Sequence, residues 1–128
     1  VAYTGTHDND TTVGWFGDLG SGTRSADQAA LERRTTLRYL GAPDGDDAKD
    51  DGREIHWRMI RAIMASVANV AVIPAQDLLG LGSQARMNHP GTATGNWEFR
   101  LAPGVLTPAI ANRLRDLSET YGRRRPEA

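Results

Sequence analysis

The sequence predicts an α/β fold built on parallel strands, and three observations carry that prediction. Two short continuous apolar runs, Val1-Ala2-Tyr3-Thr4 and Val70-Ala71-Val72-Ile73, lack in–out alternation and read as buried strands, the second fitting a strand covered on both faces. Segments of helical periodicity lie between and after them. The order strand, helices, strand, loop, helix is that of β/α units, in which helices carry the chain back between parallel strands.

Residues 1–5 form the first expected strand, ended by Gly5 and the polar run Thr6-His7-Asp8-Asn9-Asp10. Asp10, Thr11 or Thr12 can cap a short helix carrying Val13, Trp15, Phe16 and Leu19, which Gly17, Gly20 and Gly22 then break. Ser25 and Gln28 have capping-box spacing and open a second helix through Leu31, Leu37 and Leu40, stopped by Gly41 and Pro43. Residues 44–52 hold five Asp, two Gly and no large apolar side chain, which reads as a solvated loop. From Arg53 a helix puts Met59, Ile60, Ile63, Met64 and Val67 on one face and a Glu54–Arg58 pair on the other. The second strand, 70–73, closes at Pro74. Residues 76–95 are rich in Gly, Asn and Pro, a long irregular segment of the kind that often carries function. A weaker strand is expected at 97–101. Thr107 then caps a last helix with Pro108 at its first position and Ile110, Leu114, Leu117 and Tyr121 at spacings of four, three and four. Gly122 ends it, and the following Arg123, Arg124 and Arg125 are expected to fray.

Two strands do not make a stable parallel sheet, so further strands are expected upstream of Val1. The opening on Val, directly on an apolar run, leads to the same expectation of a longer parent chain. Composition excludes several classes. Fifteen Lys and Arg against 16 Asp and Glu give a net charge of −1, which offers no basic footprint for nucleic acid and no polybasic membrane anchor. No apolar run approaches the ~18 residues of a spanning helix. The absence of cysteine excludes disulfides, thiolate zinc sites and thiol catalysis, and fits a reducing cytoplasm.

His7, Asp8, Asn9 and Asp10 follow the first strand, at the carboxyl end of the sheet where parallel β/α folds bind ligands. From the residues alone three readings stand: a polar turn with Asp10 capping the helix, a divalent-metal site of His7, Asp8 and Asp10, or a sugar site. In the last, a carboxylate accepts from one hydroxyl while an imidazole serves its neighbour. None of the three histidines has zincin-like spacing. Gly80-Leu81-Gly82-Ser83-Gln84-Ala85 mimics a dinucleotide fingerprint, but Gln76-Asp77-Leu78-Leu79 separates it from the strand, so the glycines cannot form the phosphate-cradling turn. Asn88, in the loop after the second strand, can donate to a sugar hydroxyl or form an Asx/Pro turn with His89 and Pro90. His56 and Trp57 read as surface and packing residues, and Trp97, which could stack on a sugar, reads rather as a buried aromatic at a strand start.

Two long stretches favour the sugar reading. Tyr3-Thr4-Gly5-Thr6-His7-Asp8-Asn9-Asp10-Thr11-Thr12, followed by Gly14-Trp15, resembles the signature of the 4-α-glucanotransferases (amylomaltases, or disproportionating enzymes; glycoside hydrolase family 77). Pro74-Ala75-Gln76-Asp77-Leu78-Leu79-Gly80-Leu81-Gly82, Arg86-Met87-Asn88, Pro90-Gly91-Thr92 and Gly95-Asn96-Trp97 resemble the family's final barrel segment. His89 stands where the family is expected to carry a smaller or apolar residue. The resemblance implies the last two β/α units of a TIM (β/α)8 barrel, with 1–128 as the carboxy-terminal part of a catalytic barrel incomplete at its amino end.

The implied activity is transfer of an α-1,4-glucan segment to the 4-hydroxyl of an acceptor sugar, with retention, and without metal or cofactor. The implied partners are α-1,4-glucans and maltooligosaccharides. A retaining mechanism needs a nucleophile and an acid/base carboxyl; by the resemblance both come from earlier strands and neither is in this chain. Asp8 is then the third carboxylate, gripping the 2- and 3-hydroxyls of the sugar in the −1 subsite. His7 and Asn88 contact the same substrate. The isolated chain is expected to be inactive and marginally stable. A non-catalytic sugar-binding module and a metal-dependent hydrolase remain as alternatives.

Overall fold

The computed structural model describes residues 1–41 and 52–124. Strands β1 (Ala2–Tyr3) and β2 (Ala71–Val72) pair in parallel, Ala2 opposite Ala71 and Tyr3 opposite Val72. Between them run helices α1 (Thr12–Gly17), α2 (Ala26–Tyr39) and α3 (Ile55–Met64). After β2 come the single turn α4 (Ala75–Leu78), a 3₁₀ turn at Ser83–Ala85 and α5 (Pro108–Thr120). The element order is the expected α/β order. Both strands are shorter than expected, because the Thr4 hydroxyl turns to Asp77 and Pro74 has no N–H for a ladder. Residues 97–101 form no strand: Trp97 sits in the left-handed region at φ 62°, which no ladder accommodates. Most of the acidic 44–52 segment, and Arg125, lie outside the described residues.

Side-chain alternation gives the sheet two different faces. Ala71 and Ile73 pack on Trp57, Ile60 and Met64 of α3, with Leu78 and the α5 residues Ile110, Leu117 and Tyr121 closing the cluster. Tyr3 and Val72 share the opposite face, which stays open to solvent. A second cluster joins Phe16 of α1, Leu37 of α2 and Ile55, with Met59 packed against it. Helix α3 thus serves both clusters, as its apolar stripe requires. Val67 does not join that stripe; α3 ends at Met64 and Val67 is fully exposed.

The capping signals act as read. Ser25 accepts from Gln28 N–H at 3.2 Å while Gln28 Oε1 accepts from Ser25 N–H at 2.9 Å. Thr107 caps α5 with Pro108 at its first position. Caps of this kind contribute about 1 kcal/mol each. The expected fraying of Arg123 does not occur. Its guanidinium donates to the carbonyls of Met64 (2.6 Å), Ser66 (3.0 Å) and Ile63 (3.2 Å), the last of which also accepts from the Ser66 N–H and hydroxyl, and so ties the end of α5 to the end of α3. Glu54 hydrogen-bonds bidentately with Arg113 of α5, at 2.6 and 3.0 Å, with the charge of Arg58 acting on the same carboxyl, and Arg113 lies over the Trp57 ring. That hydrogen-bonded guanidinium holds the Glu54 carboxyl below its usual pKa.

His56 packs as expected, half-buried on α3, and its ring lies where a Cβ on Gly80 would come within 2.7 Å of it; Gly80 also has φ 65°. Burial lowers the imidazole's pKa from 6.5, opposed by Glu54 and Asp77 and assisted by Arg113. A group protonated more readily unfolded than folded stabilises the fold above its unfolded pKa and withdraws that contribution as pH falls through the folded one. The melting temperature of the full-length protein is therefore expected to fall between about pH 7 and pH 5, ahead of carboxylate titration. His56→Gln should flatten that slope. Equal slopes for the two proteins would dismiss His56 as the cause.

Candidate functional site

The loop after β1 is shaped by its own short polar side chains. Asn9 Oδ1 accepts from the Thr6 N–H at 2.8 Å and from the Thr6 hydroxyl at 2.9 Å, while Asn9 N–H donates to Thr6 O at 3.2 Å. This tight turn carries His7 and Asp8 at its tip. The helix that follows is capped by Thr11, whose hydroxyl accepts from Gly14 N–H at 3.0 Å, and not by Asp10. Asp10 does something else. It accepts from Thr11 N–H at 2.7 Å and, through its second oxygen, from the Ser83 hydroxyl at 2.7 Å, tying the first loop to the 3₁₀ turn after β2. Gly14 permits that approach, since a Cβ there would stand 2.3 Å from Ser83 Oγ.

Asp77 makes a second tie. It is 2% exposed and accepts from the Thr4 hydroxyl at 2.5 Å and from Thr12 N–H at 2.7 Å. One buried carboxylate therefore joins the end of β1, the start of α1 and the helical turn after β2. Both hydrogen bonds are charge-assisted.

These ties bring together all three residues singled out in the sequence. Asn88 Nδ2 donates to Asp8 Oδ1 at 2.7 Å, and His7 Nε2 stands 3.4 Å from the same oxygen. Among the described residues no donor meets the other oxygen, Oδ2. The arrangement holds a carboxylate by one oxygen and presents the second, beside an imidazole, to whatever enters from solvent. Asp8 and His7 are each about half exposed. The His7 ring lies against Trp97, with centroids 5.1 Å apart and planes tilted by 35°.

A cavity of about 530 Å³ opens over this end of the sheet, lined among others by His7, Arg86, Met87 and Trp97 and by Tyr3 and Val72 of the open face. Asp8 and Asn88 are not part of its wall but adjoin His7 and Arg86, which are. Trp97 is 55% exposed on that wall and not the buried aromatic expected; its N–H donates to Met87 O at 2.7 Å while its backbone stays left-handed. Strained non-glycine backbone of this kind costs about 1–3 kcal/mol and gathers at functional sites. Asp10 turns to Ser83, so His7, Asp8 and Asp10 do not converge. Among the described residues no group of three or more His, Cys, Asp or Glu side chains is placed to hold a metal ion. Nor, among them, is any helix long and apolar enough to cross a membrane.

Sequence reasoning assigned no role to Asp77, Ser83 or Arg86. Asp77 and Arg86 stand in the second long motif and Ser83 just after its Gly82, but each acts through a partner far away in the chain. The Gly80–Ala85 string that mimics a dinucleotide fingerprint leads into and ends in the 3₁₀ turn Ser83–Ala85, with Gly80 against His56 and Ser83 against Asp10.

The comparisons with known proteins identify the family. Residues 1–107 match the family model described as 4-alpha-glucanotransferase, Glyco_hydro_77. A 4-alpha-glucanotransferase of Synechocystis sp. is 46% identical over 124 residues, covering 97% of this chain and 21% of that protein. One from Thermus thermophilus is 45% identical over 123 residues, covering 96% and 22%. The solved structure of an amylomaltase from Streptococcus agalactiae in complex with acarbose superposes with a TM-score of 0.72 at 28% identity, over 94% of this chain and 21% of that one. The chain spans about a fifth of the length of the curated relatives it matches. Sharing a 107-residue family match and more than two-fifths of its residues with such relatives, the chain belongs to glycoside hydrolase family 77, the 4-alpha-glucanotransferases.

Proposed function

We propose that the chain forms the last two β/α units of a (β/α)8 barrel. In the full-length protein it would complete the −1 subsite of an enzyme that moves α-1,4-glucan segments between maltooligosaccharides with retention. The nucleophile and the acid/base carboxyl belong to earlier strands. The chain alone is then inactive, and the whole works in the cytoplasm. The observation that carries this reading is the Asp8 carboxylate pinned at Oδ1 by Asn88, with His7 beside it and Oδ2 left for a substrate hydroxyl. The open apolar face of Tyr3 and Val72 supports the barrel, since a barrel interior is a packed core that other strands must fill.

Asp8 would accept hydrogen bonds from the 2- and 3-hydroxyls of the glucosyl unit. These bonds strengthen as the ring flattens towards the oxocarbenium-like transition state and its hydroxyl protons become more acidic. Asn88 keeps the carboxylate oriented, and His7 serves a neighbouring hydroxyl. Hydroxyl recognition by a carboxylate–amide–imidazole set suits a neutral sugar and no phosphate group, which would be repelled by Asp8.

The test is incubation of the full-length protein with maltotriose. Glucose together with oligosaccharides longer than the substrate is the expected product pattern, unchanged by a chelator. Binding of maltotriose without any turnover would replace the enzyme by a sugar-binding module, and loss of turnover on chelation would favour a metal-dependent hydrolase.

A further inference from the structure

We propose that Arg86 is a positioning residue of the glucan site, a planar clamp that sets the distance between the two loops carrying Asp8 and Asn88. This rests on the reading of those two residues as substrate-contacting. Arg86 is half-buried at the end of the 3₁₀ turn, anchored by its own N–H to Ser83 O at 3.1 Å. Its side chain donates from Nε to the main-chain oxygen of Asn88 at 2.8 Å and from Nη2 to the main-chain oxygen of Asp8 at 2.7 Å. Adjacent nitrogens on one edge of the guanidinium thus grip two backbones 80 positions apart.

The choice of atoms matters. By holding main-chain oxygens the clamp fixes where the two backbones stand and leaves both side chains for other work. The 2.7 Å contact between Asn88 Nδ2 and Asp8 Oδ1 is made across the gap that Arg86 spans. The same turn is pinned at its start by Ser83 to Asp10, so the loop after β2 meets the loop after β1 at two separate points. Ser83 sets the approach of the turn, and Arg86 sets the reach of the two functional side chains.

Lysine cannot replace this group. An ammonium on a flexible stem carries the charge but not the fixed fork, so it cannot hold the two oxygens at a set spacing. A misplacement of about 1 Å in a positioned catalytic group can cost about 100-fold in rate. Because Asp8 acts most strongly in the transition state, its displacement should appear in kcat and spare ground-state binding.

The experiment measures kcat, KM and melting temperature for maltotriose in the full-length protein, comparing Arg86→Lys, Arg86→Gln, Asn88→Ala, the Arg86→Lys/Asn88→Ala double variant and Asp8→Asn. Both Arg86 variants are expected to lose about 10- to 100-fold in kcat, with KM changed by less than about threefold. Their melting temperatures should stay near that of the parent. The double variant should be hardly worse than the poorer single one, because both act on the placement of Asp8. Parental kcat in the Arg86 variants, losses that multiply with Asn88→Ala, or a melting temperature that falls in step with the rate would each overturn the clamp. If Asp8→Asn also kept full turnover, the failure would belong to the site reading itself; a slow Asp8→Asn with fast Arg86 variants would sink the clamp alone.

Discussion

Asp8→Asn in the full-length protein is expected to lower kcat for maltotriose by about 10²- to 10⁴-fold, equivalent to about 3–5 kcal/mol of transition-state stabilisation. KM should move by less than about tenfold. The reasoning is differential: the ground-state sugar needs only hydrogen-bond acceptors near its hydroxyls, and Asn still offers one. The developing positive charge at the anomeric centre and the more acidic hydroxyls of the flattened ring need an anion. The substitution is isosteric. The contact to Asn88 Nδ2 can persist through the amide oxygen, and Arg86 still holds the main-chain oxygen. Melting temperature is therefore expected to change little, which separates chemistry from folding. Undiminished turnover would remove Asp8 from the reaction.

Asp77→Ala is expected to have the largest effect on the fold. The carboxylate is buried and takes two donors, the Thr4 hydroxyl and Thr12 N–H. Each buried donor left without a partner costs about 1–3 kcal/mol, so the substitution should remove about 2–6 kcal/mol. Asp77→Asn should lose less, since its amide oxygen can still accept one of the two. Because Thr12 opens the helix that follows the His7–Asp8 loop, the Ala variant should also lose turnover even where it remains folded. Urea denaturation of the full-length protein gives the first quantity and maltotriose turnover the second. A stability loss under about 0.5 kcal/mol in Asp77→Ala would show that other contacts hold this junction.

What the sequence reveals and what it conceals divide along the range of the interactions. The Ser25/Gln28 box, the Thr107-Pro108 start and the apolar stripe of α3 as far as Met64 follow from neighbours three or four positions apart, and each is found in place. Strand length is not local: β1 and β2 stop where Thr4 finds Asp77 and where Pro74 offers no donor. Asp10 could equally have capped α1 by itself, but Ser83, 73 positions away, takes its second oxygen. Arg123 looked like part of a loose basic tail until the carbonyls at the end of α3, which no sequence pattern marks, came within its reach. Within the candidate site, His7, Asp8 and Asn88 could be named because they stand in long motifs. Arg86 and Trp97 stand in the same motifs, yet their work depends on a main-chain oxygen and on an imidazole ring contributed by the other loop.

The ties that build the site share one property. Thr4 to Asp77, Asp10 to Ser83, Asp8 to Arg86 and Asp8 to Asn88 each join residues 73 to 80 positions apart. Closing a loop of that size is an entropic debt that the helices, made of contacts within a few residues, do not incur. During folding the helices between the two strands can therefore form and pack before any of the groups at the candidate site meets its partner. The contacts among His7, Asp8, Asn88 and Arg86 are therefore expected to form last, and to be lost first when the register of the two strands slips. Lengthening the chain between the strands, by contrast, adds little to the debt already incurred, because closure entropy grows only with the logarithm of loop length.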